Sequence, residues 1–213
     1  MLYCSPDRTT DELIDVIASE PKIVKYIDLP LQHSCDAVLK RMLRRGNSTL
    51  IAGLLKRLRE RIPGVIIRTT MIAGLPGETE EEFEHLCNFV RDQAFERLGC
   101  FAYSQEDETP AGRMPDQVEE SLRRRRADTI MEIQMGIAAD IARASEGRTL
   151  EVLCEGYDAE MQCYAGRSYM DTPNIDTKVY FTGEKNLEPG RFVMVEITGA
   201  DGYDLTGEQV NRL

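Results

Sequence analysis

Three strand-like runs lie within the first 104 residues, each separated from the next by a helical pattern and none joined by a hairpin turn. Strands connected that way pair in parallel, because a crossover is needed to bring the chain back to the same end of a sheet. The runs are Lys25–Gln32, Val65–Ala73 and Leu98–Ser104. Helices are expected from Thr10 or Asp11 to Ser19, across Val38, Leu39, Met42 and Leu43 up to Gly46, and from Leu50 to the stop at Pro63-Gly64. A Thr79-x-x-Glu82 capping box opens a further helix that buries Phe83, Leu86, Cys87 and Val90. Three strands are too few to close an eightfold barrel, so this is expected to be part of a larger sheet.

A long helix is expected from Pro115-Asp116 to Ser145, ended by Gly147. Its arginines at 123–126 point all round the helix and are read as a solvated face with local acid partners. Beyond Gly147 the pattern changes to five short strand candidates broken by Gly, Pro, Asp and Asn. That predicts a small antiparallel barrel of OB-like type. Two domains are therefore expected, 1–146 and 147–213.

No apolar run reaches the length of a membrane-spanning helix, and the first residues carry no basic start followed by an apolar stretch. A soluble cytoplasmic protein is expected. The net charge of −11 argues against broad nucleic-acid binding and suits a basic partner. Cys4, Cys35, Cys87, Cys100, Cys154 and Cys163 are dispersed, so no metal site and no disulfide framework is expected of them.

Chemistry at a parallel sheet gathers at the carboxyl ends of its strands. In the first run Asp28, Pro30 and Gln32 share one face and Ile27, Leu29 and Leu31 the other, with His33 at the end. In the second, Arg68, Thr70 and Ile72 oppose Val65, Ile67 and Met71. Two polar faces side by side fit either a ligand cavity or an internal hydrogen-bond network. Arg68 in turn fits either a carboxylate clamp or an ion pair with Asp28. The turn Gly74-Leu75-Pro76-Gly77-Glu78-Thr79 lets the backbone approach closely at a helix start, without the spacing of a nucleotide fingerprint.

Taken together and in order, YIDLPLQH (26–33), LKRMLRR (39–45) with Gly46, RTT (68–70), GLPGET (74–79) and FAYSQEDETPA (101–111) resemble the radical S-adenosylmethionine methylthiotransferases. The terminal barrel is similar to that family's TRAM domain. The stretch GRSYMDTPNID (166–176) resembles the branch that methylthiolates the β-carbon of an aspartate in small-subunit ribosomal protein S12, with Thr172 and Asn174 standing where that branch has Ala and Glu. The sister branch modifies an adenosine in tRNA and is the alternative, as is a noncatalytic ribosome-docking module. Residues 147–213 hold 6 Lys and Arg against 12 Asp and Glu, a match for a basic ribosomal protein.

The resemblance implies a C-terminal half: part of a radical SAM barrel followed by the TRAM barrel. It implies S-adenosylmethionine and [4Fe–4S] clusters as cofactors, but the family's Cys-x₃-Cys-x₂-Cys motif has no match here, so the chain is not expected to catalyse alone. From strand position within that family, Gln32 and His33 are expected at the nucleoside or sulfonium end and Arg68 and Thr70 at the methionine carboxylate. The turn of Ala73, Gly74 and Gly77 is expected against the adenine, and Arg167, Asp171 and Asp176 at the docking surface.

Overall fold

The computed structural model describes residues 1–211, which form two compact units, Met1–Ile137 and the residues from Ala138 onward. The last two positions of the expected 147–213 domain lie outside the described residues. In the first unit β1 (Tyr26–Asp28), β2 (Ile66–Ala73) and β3 (Arg97–Ala102) form one parallel sheet in the order β1-β2-β3. Helices α1 (Asp11–Ser19), α2 (Asp36–Arg41), α3 (Ser48–Arg61) and α4 (Glu80–Gln93) alternate with the strands. Local chemistry starts them: Thr10 caps α1, Asn47 caps α3, and Thr79 with Glu82 closes a full capping box on α4. The apolar sides of the helices bury Ile17, Leu54, Leu58, Leu86 and Val90 in one core with Ile27, Ile67 and Met71 of the strands. The other sheet face stays partly open, with Arg68, Thr70 and Ile72 half-buried and Phe101 exposed.

The first strand is shorter than the expected 25–32. Pro30 has no N–H to give the ladder, and the path rejoins β2 only at the bridge of Gln32 with Met71. Thr69 fills the gap from the buried side: its hydroxyl donates to the Leu29 carbonyl at 2.8 Å and accepts from the Leu31 amide at 3.3 Å. Thr69→Val keeps the shape but strips both buried backbone groups of their partner. A loss of about 1–3 kcal/mol in urea unfolding is expected.

Helix α2 also ends earlier than the expected Gly46. Leu43 adopts a left-handed backbone (φ 56°), and a Schellman pair closes the helix, Arg44 N to Leu39 O and Leu43 N to Lys40 O. The long helix α5 (Glu120–Arg143) starts later than Pro115-Asp116. The Asp116 carbonyl is taken by the Gly77 amide at 2.7 Å, and Gln117 bonds back to the Ala111 and Met114 carbonyls, so this segment turns before helix can form.

In the second unit β4 (Thr149–Asp158), β5 (Cys163–Arg167), β6 (Val179–Thr182), β7 (Phe192–Asp201) and β8 (Asp204–Val210) close into a barrel in the order β4-β5-β6-β8-β7. All pairs are antiparallel except β6 with β8, which is parallel, so the barrel is not purely antiparallel. Bulges at Cys154/Gly156 and Ile197/Gly199 bend β4 and β7 around it. Val152, Phe181, Val195 and Ile197 fill the interior. On the outside Glu196 and Glu208 face each other across β7 and β8, a like-charge pair.

Candidate functional site

The candidate site is the open face and strand-exit rim of the first unit. Asp28 and Arg68 are register partners, and Arg68 Nη1 lies 3.2 Å from Asp28 Oδ1. Asp28 is buried and also accepts from the Tyr3 amide, so of the two arrangements open for Arg68 the structure contains the ion pair. Thr70 and Gln32 stand further along the same face. Gln32 holds a left-handed backbone (φ 72°), with its amide on the Thr70 carbonyl and its carbonyl on the Ile72 amide, both 2.8 Å. Ala73 turns its side chain to the buried side, and its carbonyl accepts from Tyr103 N.

The turn after β2 is built around a residue to which the sequence reading gave no role. Glu78 is fully buried, and both its carboxylate oxygens accept from the Gly74 amide at 3.0 Å. Arg126 Nη1 donates to Glu78 Oε1 at 2.9 Å and to its carbonyl at 3.0 Å. Gly77, with φ 71°, completes the turn. His33 has no exposed surface and packs behind this turn rather than lining the open face. Its Nδ1 accepts from the Cys35 amide at 3.0 Å, so the neutral ring carries its proton on Nε2, 3.5 Å from Glu78 Oε2.

The arginine run is likewise not a uniformly solvated face. Arg126 is buried, pairs with Glu78 and Glu80, and lies over the Phe83 ring at 5.1 Å. Arg123 donates to the Tyr103 carbonyl, and only Arg124 and Arg125 face outward. A signal existed in the spacing: Leu122, Arg126, Ile130 and Gln134 follow each other every four residues on one helix face.

In the second unit Arg167 pairs with Glu155 at 2.8 Å. Asp171 is buried and accepts from the Ser168 amide and hydroxyl and from the Thr177 hydroxyl, while Asp176 accepts from the Thr172 amide. The two carboxylates thus brace one loop from inside and leave Ile175 exposed at its tip. Asn174 there has φ 63°, a backbone that asparagine tolerates well.

The six cysteines are free thiols, and burial pushes Cys100 up to about 12. Among the described residues no group of three or more His, Cys, Asp or Glu could hold a metal ion, and no helix is long and apolar enough to cross a membrane.

The parallel α/β sheet and the closed barrel define a class, a radical SAM fold joined to a TRAM domain. Residues 1–90 match the family model of the radical SAM superfamily and residues 147–210 that of the TRAM domain. Coproporphyrinogen III oxidase (HemN) from Escherichia coli shares the fold with a TM-score of 0.51 over 66% of this chain and 32% of that one, at 19% identity. More similar are two proteins named ribosomal protein uS12 methylthiotransferase RimO. The one from Lachnoclostridium phytofermentans is 47% identical over 96% of this chain and 47% of its own length. The one from Desulfitobacterium hafniense is 49% identical over 99% and 47%. The chain thus carries radical SAM and TRAM domain matches and is similar over nearly its whole length to these methylthiotransferases, of which it spans about half the length.

Proposed function

We propose that this chain is the C-terminal portion of a methylthiotransferase that modifies the β-carbon of an aspartate in ribosomal protein uS12. The observation that carries this reading is identity of 47–49% running through both units to proteins of that name. The acidic barrel supports it, since 147–213 carries twice as many acids as bases and a basic protein is its electrostatic complement. A cytoplasmic location and a protein substrate rather than tRNA follow from the same reading.

The open face fits S-adenosylmethionine in its donor set. Thr70 and Gln32 offer a hydroxyl and an amide to a nucleoside, Arg68 a cation held in place by Asp28, and the backbone from Ala73 to Gly77 a close approach for a flat base. When bound with a [4Fe–4S] cluster, that cofactor supplies the radical chemistry. This chain's own residues position it: Glu78, with His33 and Arg126 behind it, holds the Gly74 amide and so sets the shape of the turn. The dispersed thiols do not fit a cluster, so its ligands belong to the part of the relatives that this chain does not span, and the chain alone is inactive. The barrel, from 147 on, serves as the docking domain, with the loop braced by Asp171 and Asp176 and flanked by Arg167 at its surface.

Binding of this chain to purified uS12 and to a tRNA anticodon stem-loop at fixed salt tests the reading. Preference for uS12 is expected, weakened about 3- to 10-fold by Glu196→Gln with Glu208→Gln. Preference for the stem-loop with a steep salt dependence would assign the chain to the tRNA-modifying branch.

A further inference from the structure

A cleft of about 350 Å³ opens beside Pro30, lined by Ser5–Arg8 and Leu43–Arg45. We propose that this cleft, through Arg8, Arg44 and Arg45, takes up the side-chain carboxylate of the aspartate-bearing segment that is to be modified. The inference rests on the substrate reading above and adds the residues that select the acidic side chain.

Charge is the first argument. Three guanidinium groups share the cleft with a single carboxylate, Asp7, in a chain whose net charge is −11. Asp7 is already engaged: the Ser5 hydroxyl bonds it, and Arg8 and Arg45 further hold its carboxyl below the usual range. Among the described residues the Arg44 side chain makes a single long bond, 3.4 Å, to the Pro30 carbonyl. The cleft is therefore a cationic island on an acidic molecule. A polyanion such as nucleic acid is repelled by the surroundings. A basic segment with one carboxylate is drawn in by the bulk charge and seated by the island.

Position and backbone are the second. Residues 1–4 run alongside β1, with Cys4 N on the Asp28 carbonyl, so Ser5–Arg8 follows a strand-like segment as it leaves the sheet. Ligands of parallel sheets gather at such exits. Four non-glycine residues of the first unit have left-handed backbones, and one of them, Leu43, lines the cleft. Leu43, whose left-handed backbone closes α2, is 74% exposed at the cleft wall. An exposed leucine beside paired arginines suits a peptide with an acidic side chain and apolar neighbours.

The test uses the full-length methylthiotransferase with its cofactors. Two fluorescent peptides serve as probes, one with the uS12 sequence around the target aspartate and one with asparagine in its place. The parent enzyme is expected to prefer the aspartate peptide by about tenfold or more. Arg44→Gln with Arg45→Gln should bind both peptides equally, with S-adenosylmethionine affinity unchanged. Arg8→Gln, on a side chain 77% exposed, reads the same preference should the double variant fail to fold. Undiminished preference in the variants overturns the proposal. So does loss of S-adenosylmethionine binding in them, which assigns the arginines to the cofactor's own carboxylate. Equal binding of both peptides by the parent removes the cleft's role and leaves the substrate reading intact; binding of neither removes both.

Discussion

Glu78→Leu is expected to destabilise the first unit by about 3–5 kcal/mol, the range for breaking a buried ion pair from one side. Two groups hydrogen-bond this carboxylate, the Gly74 amide at 3.0 Å from each oxygen and Arg126 at 2.9 Å, and His33 Nε2 lies 3.5 Å away. Leucine fills the volume but leaves the buried Arg126 with the residue-78 carbonyl and the outward-facing Glu80 as its remaining partners, and the Gly74 amide without the carboxylate. The measurement is urea unfolding of the chain. Adding Arg126→Met to Glu78→Leu should recover part of the loss, because an uncompensated buried cation costs more than an apolar replacement of the pair. A single-variant loss below about 1 kcal/mol would show that water replaces the network. In the full-length enzyme the same variant should weaken S-adenosylmethionine binding, since the turn shaped by Glu78 is the one proposed to meet the adenine.

Gly74→Ala attacks the same turn from its other side. The residue has φ 82°, and an added Cβ would lie 2.3 Å from Arg123 Cγ and 2.9 Å from Arg123 Cα. The side chain of Arg123 can swing away, but its Cα moves only with α5. Left-handed strain of about 1–2 kcal/mol and overpacking of about 1–3 kcal/mol give an expected loss of about 2–5 kcal/mol. Gly147→Ala is the control, with φ 77° and nothing within 4 Å of the new Cβ. It should show only the conformational part. Equal losses in the two variants, read by thermal unfolding, would mean that the packing of α5 over the turn contributes nothing.

Particular residues show how far local patterns carry. The capping box at Thr79 was legible because both of its bonds lie within one turn of helix. The break in β1 was not: the proline was visible, but the hydroxyl that compensates for it belongs to Thr69, 39 residues further on than Pro30. Arg126 was read as solvated because its run of four arginines points in all directions. Its partner Glu78 lies 48 residues earlier, and only the docking of α5 against the turn brings the two together. His33 is expected beside the cofactor from its place at the end of the strand, not from its face. Its ring is buried, as are the odd-numbered Ile27, Leu29 and Leu31 before it.

The sequence by itself determined the order of elements, the parallel sheet, the change to a small barrel after Gly147 and the family, since each rests on periodicity, punctuation or motif over short spans. Only the tertiary structure decided which charges are paired and which are offered. Asp28 with Arg68, and Glu78 with Arg126, are buried and compensated, whereas Arg8, Arg44 and Arg45 gather at an open cleft. The physical reason is that the energy of a charge depends on burial and on neighbours distant in sequence. Neither exists until the chain has folded.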